Sequence, residues 1–168
     1  PGYIVAGTGV LQNPPEVLTA TERKRLAAAA RSDSTIHIVT AAELTSGAAR
    51  PSRSGTATWK FRARDVRDVA WAASPEFIWD ASSWDGVMAN AYYRPSAVAT
   101  WADAAKMSRF SIQEYSTRWL RYPYPQISAV EGPVSGMEYP MVAMEARSDT
   151  PEQLYNVVTH EIGHMWYQ

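Results

Sequence analysis

Five residues near the end of the chain, His160-Glu161-Ile162-Gly163-His164, form the pattern H-E-x-x-H, and they constrain their local fold more than any other stretch. The residues before them carry a helix start. Thr150 is a capping hydroxyl, Pro151 stands at the first helical position, and Gln153 sits where a capping box places its partner. The motif therefore belongs on a helix. Residues four apart on a helix lie one turn above each other on one face, so the imidazoles of His160 and His164 reach a single ion. Two neutral ring nitrogens on a rigid element suit Zn2+, and Glu161 stands where it can take a proton from a zinc-activated water. The plain alternative is a helix with two half-buried histidines and a surface glutamate. A catalytic zinc takes three protein ligands, and only Met165, Trp166, Tyr167 and Gln168 follow the second histidine. Neither Met165 nor Gln168 suits this ion. The third ligand is expected either upstream or on a longer chain.

The residues ahead of that helix narrow the reading. Gly136-Met137-Glu138-Tyr139-Pro140 is preceded by Tyr122-Pro123-Tyr124-Pro125, and His164-Met165-Trp166-Tyr167 follows. Together with H-E-x-x-H, this wording resembles the gluzincin zinc aminopeptidases, the family of membrane alanyl aminopeptidase and leukotriene hydrolase, in the bacterial branch where Gly-Met-Glu-Tyr-Pro is usual. The resemblance is strong over 59–168 and thin before it. Against the broader family signature Gly-x-Met-Glu-Asn, Ser135 stands at the first glycine and Tyr139 at the asparagine.

The resemblance implies specific roles. Gly136, Met137 and Glu138 would line the substrate site, and Glu138 would meet the free α-amine of a peptide. A carboxylate held at a fixed distance from the scissile bond favours an ammonium there, which selects exopeptidase action. The implied third zinc ligand, a glutamate on the next helix, and a transition-state tyrosine would both follow Gln168. The chain is accordingly expected to be a piece of a longer bacterial metallopeptidase, inactive alone, with a peptide bearing a free N-terminus as substrate. Other readings stay open: Glu138 as an ordinary strand carboxylate, a thermolysin-like endopeptidase, or a non-catalytic scaffold relative.

Composition is that of an ordinary globular chain, 46% hydrophobic and 20% charged with a net charge of −1. That balance gives no basic footprint for nucleic acid, no apolar run reaches a membrane span, and without cysteine there is neither a disulfide nor a thiolate ligand. The fold expected is α+β: residues 1–85 as the C-terminal part of a β-rich N-terminal domain, and 86–168 as the opening of a thermolysin-like zinc peptidase domain, truncated at the H-E-x-x-H helix.

In chain order, 3–10 reads as a strand, Asn13-Pro14-Pro15 as a break, and 23–31 as a surface helix behind a Thr19/Glu22 capping box. A strand over 35–40 carries His37, a lone histidine with no partner motif, read as structural. Turns are expected at Ser46-Gly47 and 51–55. Ala57, Trp59, Phe61 and Ala63 alternate with Thr58, Lys60, Arg62 and Arg64, the pattern of a half-buried strand. Further strands are expected at 69–73, 77–79 and 87–93, then a long helix over 96–120 whose core stripe is Val98, Trp101, Ala105, Ile112, Tyr115 and Trp119. One strand over 137–145 and a turn at 147–149 lead into the zinc helix.

Overall fold

The computed structural model describes residues 2–51, 54–134, 136–146 and 148–167. It is a mixed α+β structure in which one sheet separates two apolar layers.

The first half is built from short pieces. The expected strand over 3–10 divides into β1 (Ile4–Gly7) and β2 (Val10–Leu11), because Gly9 turns the chain at φ 98°, where an added Cβ would strike the Arg62 carbonyl. Asn13-Pro14-Pro15 opens a helical turn, α1 (Pro14–Val17), instead of merely breaking the chain, since proline is preset for a first turn and needs no N–H there. The next helix, α2 (Ala20–Ala29), starts at the Thr19 capping box: the Thr19 hydroxyl accepts the Glu22 N–H and the Glu22 carboxylate accepts the Thr19 N–H. Strand β3 (Ile36–Val39) is followed by α3 (Ala41–Ser46), which begins with a second box at Thr40 and Glu43 and ends at Gly47 in the left-handed region.

The alternation survives as burial from Trp59 onward, while Ala57, expected on the buried face, is exposed. Trp59, Phe61 and Ala63 are half-buried and Lys60, Arg62 and Arg64 exposed, yet only β4 (Phe61–Arg62) joins a ladder, with β2. Then come β5 (Trp71–Ser74), paired with β1, and the longest hairpin, β6 (Ile78–Trp84) and β7 (Val87–Tyr93), turning at Asp85 and Gly86 with positive φ at both. The expected division between residues 85 and 86 falls in this turn, and the sheet runs across it.

The helix expected over 96–120 is interrupted. A 3-10 turn at Pro95–Ala97 leads into α4 (Val98–Trp101), and α5 (Ala104–Arg118) starts afresh after Ala102-Asp103. The break drops Trp101, fully buried, against Tyr93 with ring centroids 6.1 Å apart. The apolar stripe is core only in its middle. Ala105 and Ile112 are buried, whereas Val98 is 42% and Trp119 55% exposed, at the two ends of the segment.

Parallel strands need a long crossover, and α4 with α5 supplies one between β7 and β8 (Gln126–Glu131). The single strand expected over 137–145 is a hairpin of β9 (Met137–Tyr139) and β10 (Val142–Glu145), because Met141 takes φ 65° between them. Strand β10 then lies parallel to β8. The last element is α6 (Pro151–Gly163). The expected turns at 51–55 and 147–149 include Ser52, Arg53 and Arg147, which lie outside the described residues.

The central sheet has the order β3-β6-β7-β8-β10-β9. Ala89, Ala91, Ile127 and Ala129 face α4, α5 and α6, and the small alanine side chains let the helices approach closely. Trp79, Tyr92, Val130 and Val142 face the β1–β5 side with Leu18 and Ile38. Covered on both faces, β8 is buried along its whole length, its polar Gln126, Ser128 and Glu131 included. No described helix is long and apolar enough to cross a membrane.

Candidate metal centre

Helix α6 sets the frame. Thr150 Oγ1 accepts the Gln153 N–H, and Gln153 Oε1 reaches one residue further back than a capping box requires, to the Asp149 N–H. Leu154, Val158, Glu161 and Ile162 recur every three or four residues and are buried. With that face fixed, His160 and His164 emerge together at its border.

Their Nε2 atoms are 3.1 Å apart, within hydrogen-bond distance, and their rings stand 88° to one another. Two nitrogens each about 2.0–2.1 Å from one tetrahedral ion would be separated by about 3.3 Å, so the spacing fits a shared cation. A second contact fixes the ring chemistry of His164. Its Nδ1 lies 2.9 Å from the Tyr167 carbonyl oxygen, which only accepts, so Nδ1 carries the proton and Nε2 keeps a lone pair for a ligand bond.

Glu161 is buried beside them, its Oε1 3.9 Å from His160 Nε2. Burial lifts its pKa above the ordinary carboxylate value, the two imidazoles oppose that, and the Glu138 charge adds to it. Gly136 approaches from the β8–β9 connection with φ 62°, and a Cβ there would lie 3.1 Å from Glu161 Oε1. Both the backbone conformation and the closeness call for glycine. Glu138 on β9 pairs with Ala143 and shares its face, and ligand atoms of Glu138, Glu161 and His164 all lie within 4.8 Å of one another. Arg67 Nη2 stands 3.7 Å from Glu138 Oε1.

Of the residues singled out in the sequence, His160, Glu161, His164, Gly136 and Glu138 are thus brought together. Met137 is not. It pairs with Met144, which packs on the opposite layer of the sheet, so its side chain stands on the face away from α6. Ser135 and Gln168 lie outside the described residues. His37 is on the far edge strand, β3, where Nδ1 is 2.7 Å from Asp80 Oδ1 while Tyr93 donates to Asp80 Oδ2 at 2.6 Å.

The sequence reading missed Glu145. It lies two residues along β10 from Ala143, on the face that carries Glu138, and is 1% exposed. Neither carboxylate oxygen has a hydrogen-bond partner among the described residues, and burial, with the Glu161 charge second, pushes its pKa to about 8. Its ladder neighbour Glu131 is equally buried but accepts the Arg94 N–H at 2.7 Å and the guanidinium at 2.6 Å. The missed signal was a glutamate at a core-facing position of an otherwise apolar strand.

The His164 imidazole and the Glu138 and Glu161 carboxylates, converging from α6 and β9, are a donor set that could hold a cation; His160 lies beside His164 but falls outside that group of three. No family model matches the chain, and no curated protein matches it.

Proposed function

We propose that the chain carries the metal-binding and proton-transfer residues of a zinc-dependent peptidase of the aminopeptidase kind, acting on peptides with a free N-terminus. The observation that supports this most is the 3.1 Å separation of His160 Nε2 and His164 Nε2 beside the buried Glu161 carboxylate. Zinc bound there would polarise a water and the scissile carbonyl, lowering the cost of forming hydroxide near neutral pH. His160 and His164 would hold the ion, and the Tyr167 carbonyl, 2.9 Å from His164 Nδ1, would leave the His164 Nε2 lone pair free for it. Glu161 accepts the proton of the attacking water and returns it to the leaving amine.

Glu138 takes the ammonium of the substrate. Its place beside Glu161 and His164 puts a negative charge within one residue's reach of the bond to be cut, which favours exopeptidase over endopeptidase action. Among the described residues strand β9 is the last in the sheet, so an extended peptide backbone could pair with its outer edge. The further protein ligand implied by the family resemblance would follow Gln168.

The test is zinc titration of this chain beside a form extended through the next helix, with release of the first residue from a short peptide as readout. One zinc bound tightly and N-terminal trimming by the extended form are expected. Equal cleavage of N-acetylated peptides would replace the aminopeptidase reading with an endopeptidase one. No zinc binding by the extended form would remove both.

A further inference from the structure

The face of the sheet opposite α6 holds a cavity of about 260 Å3 between the β2–β4 ribbon and strands β6, β7 and β8. Its walls include Trp59, Phe61, Trp79, Tyr92 and Met88. Trp59 and Phe61 are stacked with ring planes 9° apart, and Trp79 and Tyr92 with planes 25° apart, so one aromatic pair from the Trp59–Phe61 stretch and one from the β6–β7 hairpin border the same space. No charged side chain is among the described residues lining it. A charged guest would lose its hydration there without a counterion, so the cavity suits an uncharged one.

The floor is polar in a one-sided way. Asn90, Gln126 and Ser128 are buried on β7 and β8. Asn90 Nδ2 donates to Gln126 Oε1 at 3.1 Å and to the Ile127 carbonyl at 3.2 Å, and Gln126 Nε2 donates to the carbonyls of Gly7 and Gly9, each at 3.2 Å. Ser128 Oγ donates to Gln126 Oε1 at 2.9 Å, and Trp79 Nε1 donates to Asn90 Oδ1 at 3.0 Å. The N–H and O–H groups of these four side chains are therefore spent inside the fold. Lone pairs on Ser128 Oγ and Asn90 Oδ1 are left over, and both residues line the cavity. A matching guest brings a donor.

We propose that this cavity is a binding site for an uncharged, flat aromatic molecule carrying one hydrogen-bond donor, of the indole or phenol kind. The rings are covered by the aromatic walls and the donor is accepted by Ser128 Oγ or Asn90 Oδ1. The site is independent of the metal centre, which lies on the other face of the sheet.

Indole is the probe, followed by calorimetry and by the NMR shift of the Trp79 indole N–H in the whole chain. Saturable binding of one equivalent is expected, with Kd about 0.1–1 mM for a ligand of this size. 1-Methylindole, which keeps the ring and lacks the donor, should bind about fivefold more weakly. Met88→Trp, which fills the cavity, should abolish indole binding while the zinc titration stays unchanged. Absence of saturable binding by the folded chain would overturn the proposal, as would equal binding by the Met88→Trp variant. Should that variant not fold, the two ligands on the unsubstituted chain still decide, since equal or tighter binding of 1-methylindole removes the donor recognition.

Discussion

The two faces of the central sheet handle buried polarity in opposite ways. Toward the ribbons, Asn90, Gln126, Ser128 and Trp79 form a closed network in which each side-chain donor has an acceptor. Toward the helices, Glu145 is buried with both oxygens unpartnered among the described residues, and Glu138 and Glu161 crowd the His164 imidazole. A satisfied network rigidifies a fold at small net cost, while uncompensated carboxylates cost stability and persist where the surroundings force them. The contrast separates a face whose buried polar side chains are paired with one another from one that leaves a buried carboxylate without a partner among the described residues.

The largest effect expected is chemical. In a form of the protein that turns over peptide, Glu161→Gln should retain zinc and lower kcat by about 100- to 10,000-fold, the range for loss of a general base. Turnover within a few fold of the parent would take the base role away from Glu161. It would also leave the helix-side cluster with no chemical distinction from the ribbon-side network. Next in size is a stability loss on the other face. Asn90→Ala strands the Trp79 N–H and takes a donor away from the Ile127 carbonyl and from Gln126 Oε1, which keeps the Ser128 hydroxyl, and should cost about 4 kcal/mol in denaturant unfolding. A cost under about 1 kcal/mol would mean that the network is not tightly coupled.

Glu145 reverses the sign. Its carboxyl stays protonated in the folded chain up to about pH 8, while the unfolded chain releases that proton near the ordinary value of 4.5. Across that window the folded state holds more protons than the unfolded one, so stability falls as pH rises and levels off above about 8. The fall between pH 5 and pH 8 should be on the order of 3 kcal/mol in the metal-free chain. Glu145→Gln should flatten it. A parallel slope in parent and variant would show that Glu145 is solvated or paired in solution, and the contrast between the faces would narrow.

Legibility followed the range of the forces involved. Local signals held: the Thr19 and Thr150 caps, strand β7 at its expected bounds, and the four-residue spacing that brings His160 to His164. A helix was overlooked at α3 although Thr40 and Glu43 carry the same box as Thr19 and Glu22. What periodicity could not carry was tertiary. Nothing in the stripe over 96–120 announces that Trp101 must drop onto Tyr93, breaking the helix at Ala102-Asp103. Similarly, the apolar run over 137–145 reads alike as one strand or as a hairpin until Met141 takes a positive φ. Glu138 was legible as a candidate from its motif, but its meeting with Glu161 depends on the β9–β10 pairing and on α6 crossing it. A glutamate closing the apolar run Val142-Ala143-Met144 was a local signal for Glu145, but which face it takes follows from the register of the parallel β8–β10 pair.

The smallest effect tests whether α6 depends on its own cap or on the sheet beneath it. Thr150 Oγ1 holds the Gln153 N–H, while Leu154, Val158 and Ile162 are fully buried against the helix-side layer. If packing dominates, Thr150→Ala should cost about 1 kcal/mol, the ordinary worth of a cap, and leave zinc affinity within about twofold. The first turn lies two turns before His160, so fraying there does not move the imidazole pair. A larger drop in affinity than in stability would show that the metal donors are positioned from the helix start. The helix-side face would then be the more malleable of the two, with its chemistry set by α6 and not by the sheet it rests on.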